Sequence, residues 1–229
     1  MADRDVVSTA VAIEHPVFFN MEGLLQEPAT EAMILQGLND LVHNKHSSLF
    51  FLFAGSVLKS KGVPFTHALI SRFPSKDKLQ TYYTHAIGDI AKHMIPWLKN
   101  EFCVDYEVEM AREAITLNVN KDLVAYVIFI KAKSSAAELD IKNAMDAFLR
   151  LAELGYTIQL TCGENSYMRD WYRTMSHGFT AYFSSEAAMT TWENDPAVIS
   201  VLEGTILPLA EAYAVASVKP FIHSMDATK

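Results

Sequence analysis

Three side chains have the types needed for proton-transfer chemistry: His15, His67 and Tyr82. An imidazole with a pKa near neutral can abstract a proton, and a phenol can donate a hydrogen bond to developing oxyanion character. This pair of groups suffices for proton abstraction beside a carbonyl, aldol-type closure or cyanohydrin cleavage. None of these reactions requires a metal or an organic cofactor, so we expect neither. His85 follows Tyr82 by three residues and shares its helical face if the helix continues.

Strand periodicity predicts where the two histidines point. Alternate residues of a strand share a face, so the His67 side chain is expected on the other face of the strand from those of Ala68 and Arg72. Both histidines are expected to share a face with apolar residues. These are Phe65, Leu69 and Phe73 for His67, and Val17 and Phe19 for His15. A histidine on such a face either lines a pocket or is a hydrogen-bonded core residue. Both interpretations stay open, and the second is favoured for His177, which has the same setting.

Composition narrows the class of protein. The 229 residues are 50% hydrophobic and 20% charged, which is typical of a globular protein. Acidic residues number 27 against 19 basic ones, and the net charge of −8 argues against nucleic acid and membranes as partners. Residues 1–15 lack the pattern of a signal or transit peptide, so a cytoplasmic location is expected. The two cysteines, Cys103 and Cys162, have no metal-ligand spacing, and Cys103 is predicted to be a small core or edge residue.

An internal repeat organises the chain. His67 precedes Phe73 by six residues, as His177 precedes Phe183, and both pairs are separated by 110 residues. Apolar stripes also recur on a helix in each copy: Ile34, Leu38, Leu41 and Val42 in the first, and Ile141, Met145, Phe148 and Leu149 in the second. The first of these helices is predicted over Glu27–Lys45. We therefore predict two tandem domains, 8–111 and 122–225, joined by a linker over 112–122.

Each copy is predicted as β-α-β-β-α-β, an α+β fold with an antiparallel sheet. The predicted strands are Ala10–Met21, Leu49–Leu58, Phe65–Phe73 and Phe102–Met110, then Leu123–Lys131, Thr157–Cys162, Met175–Phe183 and Ala212–Val218. In the fourth strand Val104 and Tyr106 are expected to face the core, and Cys103, Asp105, Glu107 and Glu109 to face water. The apolar face of each sheet is expected to pack against the other copy.

The segments His15–Phe19, Phe65–Phe73 and Ser75–Leu79, with Ser176–Glu186 in the second copy, resemble the stress-responsive dimeric α+β barrel (Dabb) family. The single-domain pattern is met once in each copy, so the resemblance covers nearly the whole chain. It points to tandem, two-domain members of the plant type. It implies a ferredoxin-like dimeric α+β barrel in which the two copies form a pseudo-dimer within one chain. A homodimer is the alternative pairing.

The resemblance also implies a site. Cyclases of the family have a pocket lined by histidines of the first and third strands and by a Tyr–His pair around the second helix. The matching positions here are His15, His67 and Tyr82, whereas the second copy has Tyr126 and Trp192 in place of His15 and Tyr82. The further histidine of the cyclases is replaced by Gly88, so His85 or His93 could substitute only if the helix shifts. The first copy is therefore the expected site.

Two functions are consistent with these features. The first is a cofactor-independent lyase or cyclase acting on a small apolar carbonyl compound, such as a polyketide or a cyanohydrin, with His67 as the base and Tyr82, His15 and His85 in support. The second is a non-catalytic, stress-related protein that binds an apolar ligand or a protein partner. Retention of the polar residues in one copy favours the first, and the missing further histidine favours the second.

Overall fold

The computed structural model describes residues 8–166 and 175–222, so residues 167–174 and 223–225 of the predicted second domain lie outside the described residues. Within these ranges the chain is an α+β protein in which helices cover the outside of a curled, nine-stranded antiparallel sheet. No helix of the described ranges combines the length and the apolar character that a membrane crossing requires. The predicted α+β class is therefore confirmed.

Strands and helices follow each other in the predicted order, with three interruptions. The first half has β1 (Thr9–Asn20), α1 (Pro28–Asp40), β2 (Phe51–Lys61), β3 (His67–Phe73), α2 (Lys76–His85), α3 (Gly88–Met94), β4 (Asn100–Cys103) and β5 (Tyr106–Ala111). The second has β6 (Val124–Ala132), α4 (Glu138–Arg150), β7 (Gln159–Glu164), β8 (His177–Phe183), α5 (Glu186–Glu193), α6 (Pro196–Val201) and β9 (Ala210–Val218). The interruptions split the last predicted strand of the first half and the second predicted helix of both halves.

The strand order of the sheet is β4-β1-β3-β2-β9-β6-β8-β7, and β5 pairs with β1 beyond the end of β4. Within each half the fourth strand lies beside the first, followed by the third and then the second. The halves join where β2 pairs with β9. At the other junction β5 approaches β7, where the Ser166 amide donates to the Asp105 carbonyl oxygen at 2.7 Å. The sheet therefore curls until its two ends meet.

The inside of the curled sheet is one apolar core to which both halves contribute. Phe18, Phe53 and Tyr106 of the first half pack there with Phe129 and Tyr182 of the second. The ring of Tyr106 lies directly against two strand glycines: a Cβ on Gly163 or Gly178 would come within 2.8 or 2.7 Å of its atoms. These glycines let the Tyr106 ring cross to the opposite strands, where its hydroxyl contacts Thr161 at 3.0 Å and Thr180 at 2.7 Å.

A charged pair lies inside this core. Glu14 and Arg72 are fully buried and form an ion pair across the β1–β3 pairing. Arg72 also donates to the Ile115 carbonyl at 2.9 Å and to Gln159 Oε1 at 2.6 Å, while Glu14 accepts from Thr161 and Tyr182 at 3.1 and 3.2 Å. Because buried charges are tolerated only when their hydrogen bonds are satisfied, both halves are needed to complete this network.

Two further apolar clusters lie between the helices and the outer face of the sheet. One joins α1–α3 to β1 and β3, and the other joins α4–α6 to β6 and β8. The predicted stripes bury Ile34, Leu38 and Phe148, but Val42 and Leu149 are 38% and 41% exposed. Each of these two residues comes eight positions after the first residue of its stripe. At that point α1 has already ended at Asp40, and α4 has one residue left. A 3₁₀ turn over Leu41–His43 follows α1, so the helical segment ends two residues before the predicted Lys45.

The predicted strand Phe102–Met110 is broken at Val104 and Asp105. Its core-facing pattern is confirmed, because Val104, Tyr106 and Val108 all belong to the interior cluster. The expected wet face was wrong at Asp105, which is only 3% exposed. Cys103 is buried too, which contradicts its place on that face but agrees with its prediction as a small core or edge residue. The helices of the first half cover this stretch, and the break leaves both side chains beneath them.

We expect Arg72→Met to lower the free energy of unfolding by about 3–5 kcal/mol, because it leaves the Glu14 carboxylate buried without its cation. The double variant Glu14→Leu, Arg72→Met is expected to lose less than the single one, since no charge then remains in the core. Urea unfolding measures both. The matched control is Lys76→Ala, which breaks the exposed Lys76–Glu107 pair and should cost less than about 1 kcal/mol. Equal losses for Arg72→Met and Lys76→Ala would contradict the role given to the network.

Candidate functional site

Two of the four predicted site residues lie together beneath the helices of the first half. His15 on β1 and Tyr82 on α2 are fully buried, and their ring centroids are 6.2 Å apart. Phe73 packs between them, 5.8 Å from the His15 ring and 5.1 Å from the Tyr82 ring. All three lie on the outer-face side of the sheet, and Val17 and Phe19, the predicted neighbours of His15, belong to the same cluster.

His67 does not join them. It pairs with Phe19 in the β1–β3 register, four residues along the strand from His15, which corresponds to about 13 Å. Its Nε2 lies 3.0 Å from Glu31 Oε1, and its Nδ1 lies 2.8 Å from the Thr66 hydroxyl. The expected convergence of His15, His67 and Tyr82 is therefore corrected. The prediction that Phe65 shares the face of His67 was also wrong, because β3 begins only at His67 and Phe65 lies in the interior cluster.

His85 is also separate from this group. It is the last residue of α2 and is exposed, and its ring lies 5.5 Å from that of His46. The helix does extend from Tyr82 through His85, but it ends there, and the His85 side chain is exposed whereas that of Tyr82 is buried. His93, the other substitute considered, is exposed on α3. Neither histidine contacts His15 in the described structure, and their predicted roles remain predictions.

The partners of His15 are residues that the sequence did not single out together. Its Nδ1 lies 2.5 Å from Asp105 Oδ1, and its Nε2 lies 3.3 Å from the Tyr83 hydroxyl. A carboxylate can only accept, so Nδ1 carries a proton, and in the neutral imidazole Nε2 is then the atom that accepts the Tyr83 hydroxyl hydrogen. Tyr83 itself is half-buried at the edge of α2. The arrangement is a chain of hydrogen bonds that runs from a buried carboxylate through an imidazole to a phenol near the surface.

Cys103 lies against the same end of the imidazole. Its Sγ is 3.4 Å from His15 Nδ1 and 3.3 Å from Asp105 Oδ1. Burial raises the pKa of the Cys103 thiol well above its usual range, and the Asp105 carboxylate raises it further. Because thiol and carboxylate approach the same ring nitrogen, His15 cannot take the thiol proton while it donates to Asp105. The geometry therefore excludes a Cys–His–Asp nucleophilic triad.

The second half of the chain holds Asp105 in position. The Asn165 side chain accepts from the Asp105 amide at 3.2 Å, and the Ser166 amide donates to the Asp105 carbonyl oxygen at 2.7 Å. The backbone of Asp105 is thus fixed from across the β5–β7 junction while its carboxylate fixes His15. The site is built on the first half but depends on the second.

The corresponding positions of the second half carry no such group. Tyr126 occupies the position in the second half that His15 occupies in the first. It pairs with Ala181 as His15 pairs with Ser71, and its other neighbour is Ser217, where His15 has Asp105. Tyr126 packs against Trp192, with ring centroids 5.4 Å apart, and burial raises its pKa. The polar pattern of His15 and Asp105 therefore occurs in one half alone within the described residues.

Sequence reasoning missed Asp105, Tyr83 as a partner of His15, and Glu31. One signal was available for Asp105, because aspartate is depleted in strands and this one lies between two core-facing residues, Val104 and Tyr106. Tyr82, which was singled out instead of Tyr83, has a buried hydroxyl without a hydrogen-bond partner among the described residues. Burial raises the pKa of Tyr82, so its phenol stays protonated.

Three surface pockets lie away from His15. One of about 430 Å³ is lined by the end of α1, the start of β2, Leu117 and Phe221. A second, of about 440 Å³, lies on the other side of Phe221 and Ile222 beside Leu58 and Lys121. A third, of about 450 Å³, lies between α1 and α3 and includes His93. Pockets of this size accommodate small ligands, and neither His15, His67 nor Tyr82 lines any of the three.

Comparison with solved structures supports the fold. A putative monooxygenase from Fusobacterium nucleatum subsp. nucleatum is 12% identical, with a TM-score of 0.58 and 93% of each chain covered. A putative monooxygenase from Lactobacillus acidophilus is 12% identical, with a TM-score of 0.54, 91% of this chain and 93% of that chain covered. A dabb family protein with a ferredoxin-like fold from Mesorhizobium loti is 16% identical and covers 44% of this chain and 99% of its own, with a TM-score of 0.38.

No protein-family model and no curated protein matches the sequence. The fold assignment rests on the two full-length matches, since a TM-score of 0.38 is too low to support one. The chain thus has the α+β fold with a curled antiparallel sheet that the resemblance implied. At identities near 12% these likenesses establish the fold alone, and membership of the Dabb family stays a prediction.

We expect the free energy of unfolding to decrease as the pH falls below about 6.5. Burial lowers the pKa of both His67 and His177, with Glu31 and Glu164 opposing the shift in part. The unfolded chain therefore takes up protons at a higher pH than the folded chain, so stability is full above the unfolded pKa and is lost as the pH falls through the folded pKa. The double variant His67→Gln, His177→Gln should flatten this dependence, as measured by urea unfolding between about pH 8 and pH 5. The exposed His85→Gln should leave the slope unchanged, and a slope unaffected by the double variant would contradict the assignment.

Proposed function

We propose that the protein is a small-molecule enzyme of the cofactor-independent lyase or cyclase type, acting on a small apolar carbonyl compound through the Asp105–His15–Tyr83 chain. The observation that carries the proposal is the engagement of both His15 nitrogens, one by a carboxylate and the other by a half-buried phenol. A carboxylate that holds Nδ1–H leaves Nε2 as a base, which is the arrangement that activates hydroxyl groups in acid–base catalysis.

In this proposal Tyr83 is the group that touches the substrate. Its hydroxyl either turns from His15 Nε2 to donate to a carbonyl oxygen that gains charge, or gives its proton to His15 Nε2 as its oxygen takes a proton from the substrate. Asp105 keeps the imidazole in the Nδ1–H form and stabilises it when Nε2 is protonated. The roles predicted for the first site are thereby reassigned: His15 replaces His67 as the base, and Tyr83 replaces Tyr82 as the hydrogen-bond donor.

His67, Tyr82 and His85 have different roles in the proposal. His67 is bound on both nitrogens by Glu31 and Thr66, which favours a structural role beneath α1. Tyr82 forms a wall beside the imidazole, and the exposed His85 has no part in the relay. The variants of His67 and Tyr82 below test whether either is a catalytic residue.

We also propose that the chain is a tandem duplication whose two copies form a pseudo-dimer, with domains 8–111 and 122–225. The support is the matching strand order of the two halves and the equivalent pairing of His67 with Phe19 and of His177 with Ile130. A solution mass equal to one chain is expected. A dimer that dissociates only on unfolding would contradict pairing within one chain.

We expect His15→Gln and Tyr83→Phe each to reduce kcat/KM by about 100-fold or more, the range associated with general acid–base catalysis. Substrate is found by screening cyanohydrins and linear polyketides for new products by mass spectrometry, with oxygen consumption followed in parallel because both full-length neighbours are described as putative monooxygenases. The matched control is Tyr213→Phe, which removes the hydroxyl group of a half-buried tyrosine on β9. Near-UV circular dichroism checks the fold of each variant. A larger loss for Tyr82→Phe or His67→Gln than for Tyr83→Phe would overturn the assignment.

A second candidate function is non-catalytic binding of a small apolar ligand or a protein partner. It is favoured by the pocket of about 430 Å³, whose walls include Phe50, Leu52, Leu117 and Val119. Ligands recovered unchanged after tight binding, with binding lost in Leu117→Asp and retained in His15→Gln, would favour this function over the first.

A further inference from the structure

We propose that His15, Cys103 and Asp105 form a binding site for a divalent transition metal, with Zn²⁺ as the best fit. Their ligand atoms all lie within 4.8 Å of one another, and the three side chains are buried. Thiolate, imidazole and carboxylate are the ligand types that Zn²⁺ takes in proteins. The sequence spacing did not predict this set, because β1 supplies one ligand and the β4–β5 stretch supplies the other two.

The separations between the ligand atoms suit a tetrahedral ion. Bonds of about 2.0–2.3 Å at tetrahedral angles put neighbouring ligand atoms about 3.3–3.6 Å apart. Cys103 Sγ is already 3.4 Å from His15 Nδ1 and 3.3 Å from Asp105 Oδ1. The third separation, between Nδ1 and Oδ1, is 2.5 Å and must open by about 0.8 Å as the ion replaces the hydrogen bond.

Charge and proton balance also fit. A divalent ion bound by one thiolate and one carboxylate gives a site with no net charge, which suits complete burial. On binding, the imidazole proton moves from Nδ1 to Nε2 and the thiol proton is released to solvent. Nε2–H then donates to the Tyr83 hydroxyl, which is 3.3 Å away, so Tyr83 becomes the outer partner that orients the ligand.

Metal binding and the proposed proton relay use His15 in different ways. The relay needs Nδ1–H on Asp105 and a lone pair on Nε2, whereas the ion occupies Nδ1 and leaves Nε2 protonated. The two states exclude each other, so Zn²⁺ is expected to inhibit the proposed reaction. Direct binding measurements without substrate keep the two proposals separate, because metal binding can succeed or fail whatever the activity.

The test uses the full-length, chelator-treated protein with Zn²⁺ and Co²⁺ as probes. We expect one Zn²⁺ per chain in competition with a chromogenic chelator, and a thiolate-to-cobalt charge-transfer band in the near ultraviolet with Co²⁺. Cys103→Ser should abolish the band and weaken Zn²⁺ binding by more than 100-fold, and Tyr83→Phe should weaken it by about 10-fold. Mg²⁺, which prefers oxygen ligands, should not compete.

Two controls cover the other candidate ligands. Cys162→Ser removes the second cysteine, whose Sγ faces the Met145 carbonyl oxygen, and should keep the cobalt band. His46→Gln, His85→Gln removes the exposed histidine pair and should keep Zn²⁺ binding. If Cys103→Ser does not fold, Asp105→Asn takes its place, and the persistence of the band in Cys162→Ser still identifies Cys103 as the thiolate. No binding to the unmodified chain, loss of the band in Cys162→Ser, or full binding in Cys103→Ser would each overturn the proposal.

Discussion

The interaction between Glu14 and Arg72 constrains the rest of the structure, because it puts two opposite charges inside an apolar core. Neither charge can be satisfied by the first half alone, since Gln159, Thr161 and Tyr182 of the second half complete their hydrogen bonds. A buried ion pair adds little net stability compared with apolar side chains of similar volume. What it adds is a penalty for any other docking of the halves, since a shifted arrangement would leave a charge buried without its partners.

The candidate site depends on the same docking. Where β5 meets β7, Tyr106 extends into the second half against Gly163 and Gly178, and the backbone of the preceding Asp105 bonds to Asn165 and Ser166. Adjacent residues on a strand point to opposite faces, so with Tyr106 in the core the Asp105 carboxylate lies on the outer face, beside His15. Contacts inside the curled sheet thereby set the position of a polar group outside it.

The sequence predicted the parts of this structure that follow from local periodicity. Strand alternation predicted the face of His15, and of Ala68 and Ile70 opposite His67, because a period of two depends only on neighbouring residues. It failed at Asp105, where the same alternation predicted a wet face, since the pattern along one strand carries no information on what covers it. The covering helices come from residues 28–94, and β4 and β5 pair with β1 on either side of the break at Val104 and Asp105.

The convergence of His15 with His67 failed for a related reason. Both histidines lie on the same side of the sheet, but their separation depends on the register between β1 and β3, which sequence periodicity leaves undetermined. The register pairs His67 with Phe19 and sets it beside Glu31 of α1. The relay of Asp105, His15 and Tyr83 joins three elements distant in sequence, so it required the tertiary arrangement.

The protonation state of the His15 ring tests the central claim most directly. Long-range proton–nitrogen NMR spectra of the ¹⁵N-labelled, chelator-treated protein distinguish the two neutral forms of an imidazole, and comparison with His15→Gln assigns the signals. The Asp105–His15–Tyr83 chain predicts a proton on Nδ1, protected from exchange and shifted downfield by the carboxylate, with Nε2 unprotonated; Asp105→Asn should remove the downfield shift. A ring protonated on Nε2 alone, or one unaffected by Asp105→Asn, would contradict the account.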